Sequence, residues 1–124
     1  TAFDKIRLHF GVNRIAQVGA LTSLQDTAFV QHVVQSVIKG RQEYDALARE
    51  VGVTTLPSAT NFVSFNFGDA ERAQTVLETL IERGVFVRKS AVPPLNRCVR
   101  VTVGTPADRQ AFAEILGEVL AEVG

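Results

Sequence analysis

Apolar residues recur at three- and four-residue spacing in four stretches of the chain and alternate with polar residues in several shorter runs. Asn13 offers an N-cap. Ile15, Val18, Ala20, Leu21 and Leu24 follow at helical spacing, which predicts a helix from about Arg14 to Gln25. Its small residues Ala16, Gly19 and Ala20 predict close packing. A second start signal at Asp26-Thr27 precedes Val30, Val33, Val34, Val37, Ile38, Tyr44, Leu47 and Val51, giving a long helix to about Glu50 that Gly52 ends. Gly40 falls inside it at a cost of about 1 kcal/mol relative to alanine, which predicts a kink or a tight packing contact. The third helix, Ala70 to Arg83, starts at Asp69 and stops at Gly84, with Ala73, Val76, Leu77, Leu80 and Ile81 on its apolar stripe. The fourth follows Gly104-Thr105-Pro106-Ala107-Asp108. There a Thr cap, a proline in the first helical position and an acidic third residue precede Phe112, Ile115, Leu116, Val119 and Leu120.

Alternation predicts strands at Phe62–Phe67, Val85–Arg88 and Cys98–Val103, and Lys5–Phe10 reads as a short strand or an extended lead-in ending at Gly11. From Arg14 onward the order is helix, helix, strand, helix, strand, strand, helix, with no internal repeat. The second half is a βαββα unit whose few strands can be covered by helices on one face only. The expected fold is therefore α+β, a two-layer sandwich preceded by two helices of which the second is long. The other sheet face is left to water or to a partner.

Composition narrows the class of protein. The chain has 124 residues, 46% of them hydrophobic and 21% charged, which suits one soluble domain burying roughly 65–70% of its unfolded surface. Thirteen basic and thirteen acidic side chains cancel, so no electrostatic footprint for nucleic acid or anionic membranes is expected. No apolar run approaches the roughly 20 residues needed to span a bilayer, and a cytoplasmic location is expected. Cys98 is the single cysteine and has no internal disulfide partner. The chain opens at Thr1 and contains no methionine, and is expected to be a piece of something longer.

Strand alternation then singles out two basic residues. Val85 and Val87 share one face, as do Val99, Val101 and Val103, and these valines should meet the helices. Arg88 and Arg100 then fall on the uncovered face. If the loop stiffened by Pro93-Pro94 makes the two strands antiparallel neighbours, the two guanidinium groups converge, and a planar fork of donors grips carboxylate or phosphate well. The simpler alternative is ordinary surface charge. The remaining groups carry less. His9 and His32 lack acidic or cysteine neighbours at metal-ligand spacing, so no metal site is expected. Cys98 reads as an inert thiol, and Asn61 as a strand-edge residue or a polar ligand group. Gly104-Thr105 could offer backbone N–H groups to an anion, but helix capping accounts for it. No glycine-rich phosphate loop or nucleophile elbow occurs.

The stretch Cys98-Val99-Arg100-Val101-Thr102-Val103-Gly104-Thr105-Pro106 resembles the C-terminal signature of the histidinol-phosphate aminotransferase family, pyridoxal-phosphate enzymes of fold type I. Leu56-Pro57-Ser58-Ala59-Thr60-Asn61-Phe62-Val63 is similar to that family's small-domain opening strand, and Arg83-Gly84-Val85-Phe86-Val87-Arg88 to its helix-to-strand segment. Val12-Asn13-Arg14-Ile15-Ala16-Gln17, with Ala20-Leu21 and Leu24-Gln25-Asp26, resembles the helix after its cofactor-lysine region. The resemblance runs along the whole chain, which would form about the last third of such an enzyme. It implies that residues 1–26 trail a missing large cofactor domain, that 27–52 form a long interdomain helix, and that 53–124 form the small domain.

By the same resemblance Arg100 binds the acidic group of the amino donor and Arg88 helps to hold the substrate's anionic end, while Asn61, from its place just before a strand, stays a possible substrate-side residue. The implied parent is a homodimer that moves an amino group between an amino acid or amino phosphate and a 2-oxo acid. The lysine that bonds pyridoxal 5'-phosphate and the other cofactor ligands would precede Thr1, so the chain alone is expected to hold no cofactor and to be inactive. His9-Phe10-Gly11-Val12 departs from the Pro-Tyr-Asn-Val common in the family, which leaves the donor open. The alternatives are a stand-alone amino-acid-binding regulatory module, as the βαββα order also resembles small amino-acid-sensing sandwiches, and an interaction domain whose open sheet face is a protein interface.

Overall fold

Each of the four helices begins at a capping side chain that satisfies backbone N–H groups of the first turn. In the computed structural model, which describes residues 11–124, α1 (Arg14–Gln25) starts where Asn13 accepts from the Ala16 amide. In α2 (Thr27–Glu50) Asp26 accepts from Phe29, and in α3 (Ala70–Glu82) Asp69 accepts from Arg72. In α4 (Pro106–Val123) Thr105 and Asp108 form a reciprocal capping box. Gly52 and Gly84 take φ values of 76° and 80°, the left-handed conformation that ends α2 and α3. The next amides close back onto the helices, Val53 N–H onto Ala48 O at 2.8 Å and Val85 N–H onto Leu80 O at 2.9 Å. The lead-in at Lys5–Phe10 lies outside the described residues.

Four antiparallel strands form one sheet in the order β1-β2-β4-β3, comprising β1 (Thr54–Leu56), β2 (Phe62–Asn66), β3 (Arg88–Lys89) and β4 (Cys98–Thr102). The α+β, two-layer expectation holds, with two differences in detail. β1 was not expected, because three residues beside Pro57 are too few to show alternation. The predicted strand Val85–Arg88 contributes only Arg88 to the sheet, where it is joined by Lys89. Its first residue is engaged in closing α3, so the chain reaches β4 late. Side chains still alternate along that stretch, with Val85 and Val87 half-buried and Phe86 and Arg88 exposed. A short 3-10 turn, Leu95–Arg97, leads into β4.

Two compact units divide the chain, one ending at Gln35 and the other Ser36–Gly124, with the boundary inside α2. In the first, Ile15, Val18, Leu21, Leu24 and Phe29 are exposed, no residue of α1 is buried, and a Cβ at Gly19 would meet no atom within 4 Å. The close packing expected of its small residues is not seen among the described residues, which leave every residue of α1 exposed. Among the described residues no helix is long and apolar enough to cross a membrane.

The second unit has a core in which Tyr44 of α2, Phe65 of β2 and Phe112 of α4 meet edge to face, with ring centroids 5.4–5.6 Å apart. Such contacts add about 0.5–1.5 kcal/mol each beyond the area they bury. Val63, Val99 and Val101 line the same face of the sheet, and Val76, Leu80, Leu116 and Val119 pack onto it from α3 and α4. Gly40 marks a tight contact. A Cβ there would lie 2.4 Å from Val103 Cγ1 and 3.0 Å from Arg109 Cδ. Arg109, 4% exposed, donates from Nε to Glu43 at 2.6 Å and from Nη1 to the Gly104 carbonyl at 2.7 Å. Arg83 bridges α3 to Glu118 and Glu122 of α4.

Two outcomes test this packing. Leu80 is fully buried, so Leu80→Ala is expected to lower the unfolding free energy by about 2–5 kcal/mol in a denaturant titration. The hydrogen bond from Arg109 holds the Glu43 carboxyl below its ordinary value of 4.5. A lowered folded-state value makes this contribution complete above 4.5 and removes it as pH falls through the lowered value. The stability gap between the wild type and Glu43→Gln, read by urea midpoints across pH, should therefore close on acidification.

Candidate functional site

β2 and β4 each turn one row of side chains to the helices and the other away. The outward row of β2 is Phe62, Ser64 and Asn66, paired in register with Thr102, Arg100 and Cys98 of β4. β3 adds Arg88 directly opposite Arg100. The two arginines predicted from alternation are therefore cross-strand neighbours on the face the helices leave open. They line a cavity of about 480 Å³ together with Phe62, Ser64, Lys89, Ser90, Leu95 and Cys98.

The Arg100 guanidinium carbon stands 4.7 Å from the centroid of the Phe62 ring, within reach of a cation–π attraction that steadies the charge without neutralising it. Among the described residues neither Arg88 nor Arg100 has an ion-pair partner, and no carboxylate lines the cavity. Like charges placed opposite each other on adjacent strands repel. Two guanidinium groups and the Ser64 hydroxyl on one outward face, beside a hollow that Lys89 and Ser90 also line, can therefore take up an anion, and the Phe62 ring offers a flat apolar wall beside it.

The other candidates lie as follows. Asn61 is exposed just before β2, where its carbonyl accepts from Val103 N–H, and it does not line the cavity. Cys98 is 4% exposed at the cavity floor, and burial pushes its thiol above the ordinary value. His32 is exposed on α2, and His9 lies outside the described residues. The Thr105 N–H, at the start of α4, is taken by Asp108 at 2.8 Å, as the capping reading required. Sequence reasoning did not single out Phe62 and Ser64 as cavity residues, though the alternation that selected Arg100 also selects them. It also passed over Arg109, which falls on the inward stripe of α4 with Phe112, Leu116 and Val119.

Comparison with known proteins agrees with this architecture. The sequence profile described as aminotransferase class I and II matches residues 1–116, and the chain belongs to that family. It is 34% identical over 116 residues to a histidinol-phosphate aminotransferase of Akkermansia muciniphila, covering 94% of this chain and 31% of that protein. Histidinol-phosphate aminotransferase 2 of Methylococcus capsulatus is 37% identical over 117 residues, again 31% of its length. The crystal structure of histidinol-phosphate aminotransferase from Sinorhizobium meliloti in complex with pyridoxal-5'-phosphate superposes with a TM-score of 0.87 at 37% identity. That match covers 99% of this chain and 34% of that one. The chain thus spans about a third of the length of the relatives it matches. These matches lend no support to the regulatory-module alternative.

The burial of Cys98 has a direct readout. Its thiol should react with Ellman's reagent far more slowly in the folded chain than in denaturant, because burial and a raised pKa both suppress the thiolate. Equal rates would place the cavity floor in solvent.

Proposed function

We propose that this chain is the C-terminal third of a pyridoxal-phosphate-dependent aminotransferase and binds the acidic group of its substrate. The observation that carries the reading is the Arg88–Arg100 pair, two like charges set opposite each other without a carboxylate. An anion between them would relieve their repulsion, and a guanidinium fork can hold a carboxylate or phosphate by two parallel hydrogen bonds. The family resemblance supports the same assignment, Arg100 as principal clamp and Arg88 as its second. Asn61 would approach the substrate only with the rest of the protein in place.

The residues on this open face do not form a cofactor site of their own. An aldehyde cofactor of this kind needs an amine to condense with and a carboxylate facing its ring nitrogen. Lys89 is the lysine among the lining residues, and among the described residues no Asp or Glu lines the cavity. The assignment gives the cofactor lysine and its companions to the preceding part of a homodimeric parent. What this chain's residues do is bind and orient. Two-point attachment of the substrate's acidic group fixes how its α carbon is presented, and positioning of that kind lowers a barrier by several kcal/mol. Donors consistent with the site are an amino acid or an amino phosphate, with a 2-oxo acid as acceptor.

In the full-length enzyme Arg100→Ala is expected to raise the KM for the amino donor and lower kcat/KM by about 10- to 150-fold, the equivalent of one charge-assisted contact. Arg100→Lys should also be costly, since an ammonium cannot reproduce the fork. Steady-state kinetics unchanged by either substitution would overturn the assignment.

A further inference from the structure

Arg109 is the one charged side chain buried among the described residues, and it does not touch the open sheet face. Its Nη1 holds the carbonyl of Gly104, and its Nε is fixed by Glu43 of α2. One helical step along α2 from Glu43, the Tyr44 hydroxyl donates to the carbonyl of Thr102 at 3.3 Å. The two carbonyls that flank Val103 are thus gripped from the side opposite the cavity. Val103 itself is seated against Gly40, where α2 has no Cβ to hold it off. All three contacts act on the carboxyl end of β4, and Thr102 is two residues from Arg100 on the same strand face.

We propose that Arg109 is a positioning residue, which with Glu43 and Tyr44 fixes the end of β4 so that Arg100 stands at one place on the open face. The inference rests on the reading of Arg100 as the substrate-anion clamp. Arginine is not what core filling alone selects at this position. A buried ion pair can often be replaced by apolar side chains of similar volume with no loss of stability. Methionine or leucine would pack against Phe112 without leaving a charge to be neutralised. A guanidinium adds two directional bonds in one plane, which locate the strand end relative to α2 as well as burying it. β4 runs without a break from Arg100, paired on both edges, to Thr102, paired with Phe62 of β2, so a displacement at its carboxyl end reaches Arg100 through two residues of continuous strand and not through a loop.

The test compares Arg109→Met, Arg100→Ala and the double variant in the full-length enzyme, measuring the amino-donor KM, kcat and the thermal midpoint. Positioning predicts that Arg109→Met raises KM by on the order of 3- to 30-fold with a smaller change in kcat. It also predicts that the same substitution adds nothing to KM once Arg100 is alanine. Gly40→Ala, which presses a methyl group into Val103 and Arg109, should reproduce the KM effect. A lowered thermal midpoint with unchanged KM, or KM effects that multiply in the double variant, would overturn the proposal and leave the clamp assignment intact. If Arg100→Ala alone leaves KM unchanged, the clamp assignment fails and this inference with it. Should Arg109→Met not fold, Glu43→Gln decides, because its partly exposed side chain can lose its charge without opening the core. A raised KM supports positioning, and an unaltered one overturns it.

Discussion

A β-strand places consecutive side chains on opposite sides, and in Cys98–Thr102 that constraint divides the second unit into two environments one residue apart. Val99 and Val101 face the helices and are buried. Arg100 between them faces away and is exposed. Because β2 pairs with β4 in strict antiparallel register, Val63 and Phe65 join the core while Phe62 and Ser64 join the outer face. A register slip of one residue would drive Arg100 into the aromatic cluster and expose the valines, so the core and the cavity hold each other in place. The edge-to-face contacts of Tyr44, Phe65 and Phe112 fix the register that puts Ser64 beside Arg100.

Arg88 and Arg100 oppose one another at an edge where an opposite-charge or apolar pair would stabilise the sheet. Neither has an ion-pair partner among the described residues, and the Phe62 ring steadies only one of them. On the proposed reading, an anion held between the two guanidinium groups would relieve their repulsion. Phe86, two residues before Arg88, is 87% exposed.

Much of this was legible in the sequence because it is local. Asn13, Asp69 and Thr105 cap the helices they were expected to cap, since a side chain reaching three residues ahead needs nothing from the rest of the fold. The partnership of Arg88 with Arg100 could be inferred from alternation once the strands were taken as neighbours. What could not be read was nonlocal or too short. β1 is three residues long and exists because β2 offers it an edge. Val85 to Val87 have strand composition, yet the amide of Val85 is spent on Leu80 in ending α3, a competition between helix closure and sheet pairing that composition does not reveal. The bounds of α1 were legible from Asn13 to Gln25, whereas none of its residues is buried among the described residues.

Arg109 shows why a site's surroundings are harder to read than its contacts. Its position on the inward stripe of α4 is visible from the spacing to Phe112, Leu116 and Val119, and a charge there looks like an error in an apolar pattern. Only the fold shows that the same place receives the side chain of Glu43 from α2 and the carbonyl of Gly104 from the end of β4. The glycine at position 40 has the same explanation. Read along α2 it is a helix-weakening residue, whereas in the folded unit its missing Cβ is the space that Val103 and Arg109 occupy. Two departures from local preference, 69 positions apart by residue number, therefore resolve into one contact behind the strand that carries Arg100. On the positioning reading, local rules break in two helices at the one contact that would place that strand, as expected where a chain's stability and its function make different demands.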